Sequence, residues 1–93
     1  MKQYTTPEQT AKLIELGFEK PKSMNGEHNG WQFMPTPSYS IGELIEMLGF
    51  HLSSIYYIGI EWFVNAEGIE RRRAELIDAL YDMIIKLKEE GVI

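Results

Sequence analysis

Between Ala74 and Glu90 apolar residues recur at helical spacing. Leu76, Leu80, Met83 and Leu87 form the line, with Ile77, Tyr81 and Ile84 beside them. On a helical projection they cover a sector of roughly 160°, with Glu75, Asp78, Asp82, Lys86 and Glu89 opposite. The spacing also predicts an i,i+4 pair between Asp82 and Lys86, worth roughly 0.2–0.5 kcal/mol. So small a gain leaves the helix dependent on packing. The candidate cover is the aromatic run Ile55 to Val64, IYYIGIEWFV, which reads as a strand.

Upstream, the pattern predicts two short helices built alike. Thr6-Pro7-Glu8-Gln9 combines an N-cap, a proline at the first helical position and the glutamine of a capping box. Gly17-Phe18 then supplies a stop with its hydrophobic contact. Ser40 with Glu43 repeats the capping box, and Tyr39 with Leu44 makes a hydrophobic staple. That helix runs from Ile41 to about Leu48, before Gly49-Phe50 repeats the stop. Between the two helices, Lys20 to Asn29 is turn-rich and reads as a loop or hairpin tip. Trp31 to Met34 reads as a brief edge strand ended by Pro35 and Pro37.

From Ser54 to Asn65 both alternating sets are apolar, with Ile55, Tyr57 and Phe63 on one face and Tyr56, Ile58, Ile60, Trp62 and Val64 on the other. A strand of that kind is central or covered by a partner chain. Gly59 marks a bulge or bend and Glu61 a solvent-facing position. Asn65 to Gly68 supplies a turn, and Ile69 to Arg72 is either a returning strand or the opening of the last helix. The expectation is one α+β domain over residues 1–93, with three helices, the last one longest. They pack on a small two- to three-stranded sheet of Trp31–Met34, Ile55–Val64 and, if it is a strand, Ile69–Arg72. If the first two strands are parallel, helix two makes a right-handed crossover.

The order TPEQTAKLIELGF, aromatic strand, MPTPSYSIGELIEML, aromatic strand, ELIDALYDMIIKLKEEG resembles a group of small uncharacterised proteins from prophages and other mobile elements of anaerobic gut bacteria. Segments like YSIGELIEML and ELIDALYDMI recur in that group. The resemblance implies an α+β fold and an accessory role, and it carries over no catalytic or binding residue.

Composition narrows the function classes. With 93 residues, 44% of them hydrophobic, the chain can bury a core of its own, and without cysteine it has no disulfide, thiolate metal site or cysteine nucleophile. The start, MKQYTTPEQT, has no apolar h-region and no run approaches the roughly 18 apolar residues of a membrane span, so a cytoplasmic protein is expected. Phosphate-loop, dinucleotide, nucleophile-elbow and zincin motifs are absent. His28 and His51 lie far apart and point to no metal. Glu61 beside Trp62 reads as a solvent-facing strand residue before a general acid. The expectation is accordingly no enzyme, no cofactor and no metal.

Two features remain. Arg71-Arg72-Arg73 would oppose the dipole if it opened a helix. Either it forms an anion or single-stranded nucleic-acid site with Tyr57 and Trp62 nearby, or Glu67, Glu70 and Glu75 neutralise it, or it lies in a strand. A net charge of −5 disfavours a polyanion. The tyrosine and tryptophan stripe is more apolar than a thin domain readily hides, and it favours an interaction module that forms a homodimer or meets an unidentified protein partner.

Overall fold

A computed structural model of the chain describes residues 1–29 and 32–93, with side chains described outside 25–35. Its elements in order are α1 (Pro7–Glu15), β1 (Ser23–Asn29), β2 (Gln32–Ser38), α2 (Ile41–Leu48), a single 3₁₀ turn (Gly49–His51), β3 (Leu52–Ile58), β4 (Glu61–Ala66), β5 (Ile69–Arg73) and α3 (Leu76–Glu89). The α+β class, the three helices and the greater length of the last one all follow the expectation.

The packing centre is α3, where Leu76, Ile77, Ala79, Leu80, Met83, Ile84 and Leu87 are buried. They pack against α2, against β5 and against β4, whose Val64 and Ala66 are fully enclosed. The helix starts at Leu76, with Glu75 in the N-cap position making no side-chain bond. The expected Asp82–Lys86 pair is replaced. Asp82 reaches across to Arg73 at 2.6 Å, and Lys86 pairs with Glu90 at 2.9 Å. A neighbouring strand offers Asp82 a cation that an isolated helix would not.

Both capping boxes form. Thr6 and Gln9 exchange hydrogen bonds at the start of α1, as do Ser40 and Glu43 at the start of α2. Tyr39 and Leu44 are both buried, and the Tyr39 hydroxyl donates to the Glu19 carbonyl. The two stops differ, however. After α1 the Gly17 and Phe18 N–H groups return to Ile14 and Leu13 at 3.0 and 3.2 Å, and Phe18 packs on the core. After α2, Gly49 takes φ 53 and ψ −133 and leads into the 3₁₀ turn, which carries Phe50 out to solvent.

The strands depart most from expectation. They form two sheets, a β1-β2 ribbon and a three-stranded sheet of order β3-β4-β5. The strand expected near Trp31 therefore does not join the later ones, and among the described residues every strand pair is antiparallel, so α2 makes no crossover between parallel strands. Trp31 itself lies outside the described residues. Ser23–Asn29, within the Lys20 to Asn29 segment expected as a loop or hairpin tip, is a strand that pairs antiparallel with β2, and β2 continues through Pro35 and Pro37. These prolines are two residues apart, so their nitrogens share one side. A two-stranded ribbon leaves each strand a free side where a missing N–H breaks no ladder bond.

Ser54–Asn65, expected as one strand, is a hairpin. Gly59 has φ 66 and Ile60 is not among the positive-φ residues, so Gly59-Ile60 forms a type II′ turn, which requires glycine first. The next loop, Glu67-Gly68, has φ 50 and 75 and is of type I′. Ile69–Arg73 is thus a strand, which settles the alternative left open by the sequence.

Candidate interaction surface

Cross-strand register fixes what each face of the three-stranded sheet carries. Ile55↔Val64, Tyr57↔Trp62 and Val64↔Arg71 lie on the side of buried Val64, toward α3, together with Arg73 opposite Trp62. Tyr56↔Phe63, Phe63↔Arg72, Ile58↔Glu61 and Asn65↔Glu70 lie on the other side. There the Tyr56 and Phe63 rings stack with centroids 5.0 Å apart and planes 6° from parallel. The Tyr56 hydroxyl is 3.3 Å from the Glu70 carboxylate, and the Asn65 amide donates to the Ser54 hydroxyl. Tyr57 and Trp62 meet tilted at 54° on the inner side.

The apolar side chains at solvent concentrate along β3 and its turn. Tyr56, Tyr57, Ile58 and Ile60 are 39%, 52%, 62% and 81% exposed, and Phe50, just before the strand, is 91% exposed. Among the described residues β3 is paired with β4 alone, so its outer side is a free edge of seven residues, LSSIYYI, with no charge and no proline. The opposite edge, β5, reads IERRR. Unblunted edges of the first kind are templates for another strand.

The three arginines are divided between the two faces. Arg71 and Arg73 lie on the α3 side and Arg72 on the outer side, so the three do not converge on one ligand. Arg73 is bound to Asp82, and the Arg71 guanidinium donates to the Glu70 carbonyl at 3.0 Å. Tyr57 and Trp62 share a face with Arg71 and Arg73, and Arg73 stands directly across from Trp62.

The perturbed titratable groups serve the fold. Burial disfavours the charged form of Asp78, yet hydrogen bonds from Lys2 and Gln9, with the charges of Lys2 and Arg73, hold its pKa below the usual carboxylate range. Glu43 is likewise penalised by burial, and it too is lowered, by bonds from Ser23, Lys22 and Ser40. Burial raises Tyr39 and Tyr81, helped by Glu43 and Asp82 respectively. The His51 Nδ1 lies 2.7 Å from the Glu67 carboxylate and ties the 3₁₀ turn to the β4–β5 loop. The His28 side chain lies outside the described residues. Hollows of about 250 and 280 Å³ lie beside Tyr39 and beside Tyr81, and of the carboxylates that line them Glu43 is taken up by the backbone N–H groups of Ser40 and Lys22 and Asp82 by Arg73. Among the described residues no three His, Asp or Glu side chains cluster as a metal would require, and no helix is long and apolar enough to cross a membrane.

No family model, curated protein or solved structure matches the chain. The surface is therefore read from its own chemistry. Sequence reasoning picked out Tyr57 and Trp62 but missed Ile58, Ile60 and the edge character of β3. The available signal was length: a twelve-residue strand exceeds the usual five or six, and a central Gly-X pair is a hairpin signature.

Proposed function

We propose that this chain is a self-associating interaction module in which two copies pair along β3 and join their sheets. The observation that carries it is the free β3 edge, uncharged and without proline, flanked by exposed Tyr56, Tyr57, Ile58 and Ile60. A second copy fits that edge because antiparallel pairing of one strand with itself sets no like charges opposite one another. The module is accessory and not catalytic, since its perturbed carboxylates and its arginine-linked aspartate are committed to structural bonds. A prophage or mobile-element origin, suggested by segments such as YSIGELIEML and ELIDALYDMI, and a cytoplasmic location are parts of this same proposal.

Sedimentation at micromolar concentration should report a dimer, and Tyr57→Lys should shift it to monomer with an unchanged far-UV circular dichroism spectrum. A parent chain that stays monomeric to high micromolar concentration would remove the proposal. A second reading, an anion or single-stranded nucleic-acid site, has support from Arg72 standing across from Phe63 on the outer face. Glu61 and Glu70 share that face and oppose a polyanion. Salt-sensitive oligonucleotide binding that Arg72→Ala abolishes would favour this reading.

A further inference from the structure

A two-residue turn closes on a hydrogen-bonded pair, here Ile58 and Glu61, and pairs alternate between bonded and non-bonded along an antiparallel ladder. Ile58 and Tyr56 therefore turn their backbone N–H and C=O groups toward β4, and Ser54 follows by the same alternation. Tyr57 and Ile55, between them, turn theirs outward to the free edge. The next outward candidate, Ser53, is the extra residue of a bulge, because the register passes from Leu52↔Ala66 to Ser54↔Asn65. The regular part of the edge thus offers two residues with outward bonding groups.

We infer that two copies pair with Ile55 of each opposite Tyr57 of the other, which places the two-fold axis at Tyr56. The inference rests on the self-association proposed above. Pairing about Ile55 instead would set Tyr57 against the bulged Ser53 and lose its regular bonds. Pairing about Tyr56 uses every outward group of the regular edge and places the two Tyr56 residues opposite each other as a non-bonded pair, the closer kind. On the outer face the rows Arg72–Phe63–Tyr56 of both copies then join end to end. The six-stranded sheet terminates in the β5 strand of each copy.

The register can be read by cross-linking, because the natural chain has no cysteine to interfere. Directly opposed non-bonded positions come within the Cα separation a disulfide spans, whereas residues diagonally offset across the pair fall outside it. Tyr56→Cys should form a covalent dimer under mild oxidation at a level at least about tenfold above Ile55→Cys or Tyr57→Cys. Because Tyr56→Cys removes a ring from the stack, a mixture of Ser54→Cys chains with Ile58→Cys chains serves as the second probe. These residues are also opposite each other about the same axis, so the mixture should cross-link where neither variant does alone. A sedimenting dimer that cross-links best at Ile55→Cys, or that cross-links at none of these positions, overturns the register and leaves the proposed self-association standing. Monomers in sedimentation, with no cross-link in any variant, overturn both.

Discussion

The two edges of the three-stranded sheet are built on opposite rules. β3 has seven residues, none charged, and adjoins the exposed Ile60, whereas β5 has five, of which Glu70, Arg71, Arg72 and Arg73 are charged. Natural sheets blunt exposed edges with short strands and charged side chains, because a bare edge recruits further strands. The arginine run, unfavourable as a helix opening, makes this edge a short strand dense in charge; a second β5 centred on Arg71 would set Arg71 opposite Arg71, with Glu70 opposite Arg72 on either side. One sheet thus has a guarded side and an unguarded side, and the unguarded one is where association is expected.

The largest expected effect tests whether both edges share one foundation. Leu80 is fully buried on α3, which packs under β4 and β5. Leu80→Ala should lower stability by about 2–5 kcal/mol, through lost transfer energy and a cavity. Denaturant unfolding should follow one transition throughout. A loss below about 1 kcal/mol, or a separate early transition, would mean that the sheet does not depend on α3.

The β5 side should also be the acid-sensitive one. Asp78 is held by Lys2 and Gln9 at 2.9 Å each, whereas β3 carries no carboxylate. Its folded pKa lies below the ordinary value of 3.8, so its stabilising contribution is present in full above that value and is lost as pH falls through the lower, folded one. Asp78→Asn should cost about 1–3 kcal/mol at neutral pH, as expected for bonds to a charged group. It should also flatten the fall of stability below about pH 4. Equal acid sensitivity in parent and variant would move the titrating group elsewhere, and a pH-dependent dimer affinity between pH 5 and 8 would argue against an uncharged edge.

How the β3 side is made depends on one glycine. Gly59 holds φ 66 in the β3–β4 turn with open space where a Cβ would lie, so Gly59→Ala meets a backbone penalty and no clash. The expected cost is about 1–3 kcal/mol, because the first position of a type II′ turn lies outside even the left-handed helical region that other residues sometimes visit. The β4–β5 turn should be untouched, so hydrogen exchange should rise in β3 and not in β5. Uniform exchange would show that the three strands open together.

That glycine also marks where the sequence was readable and where it was not. Caps are local chemistry, and Thr6 with Gln9 and Ser40 with Glu43 were legible because each box needs only residues three apart. The last helix was legible because its apolar sector repeats over four turns. Ile58-Gly59-Ile60 was not, because an isoleucine in a turn continues the apolar run and hides the reversal. Pro35 and Pro37 misled for the opposite reason: they end a strand inside a sheet, but not one with a free side. The stop at Gly49-Phe50 copied the letters of Gly17-Phe18, yet its backbone took another course and left Phe50 in solvent, an outcome set by the strand that follows. The site residues fared likewise. Tyr57 and Trp62 were named from amphipathic character, whereas the edge they adjoin exists only once strand order is known.

The smallest effect on stability bears most directly on the two edges. Changing Arg71, Arg72 and Arg73 together to Thr should alter unfolding free energy by less than about 1 kcal/mol. The half-exposed Arg73–Asp82 pair contributes about 0–1 kcal/mol, and threonine suits a strand. Assembly should change far more. With Glu70 the one charge left on β5, both edges accept a strand, the symmetric pair no longer closes, and light scattering should show mass growing with concentration beyond a dimer. The reverse change, a lysine on β3 at Tyr57, guards both edges and should leave a monomer even at high concentration. If the threonine variant remains the same size as the parent while folded, the arginines do not guard β5, and the difference between the edges lies in their lengths alone.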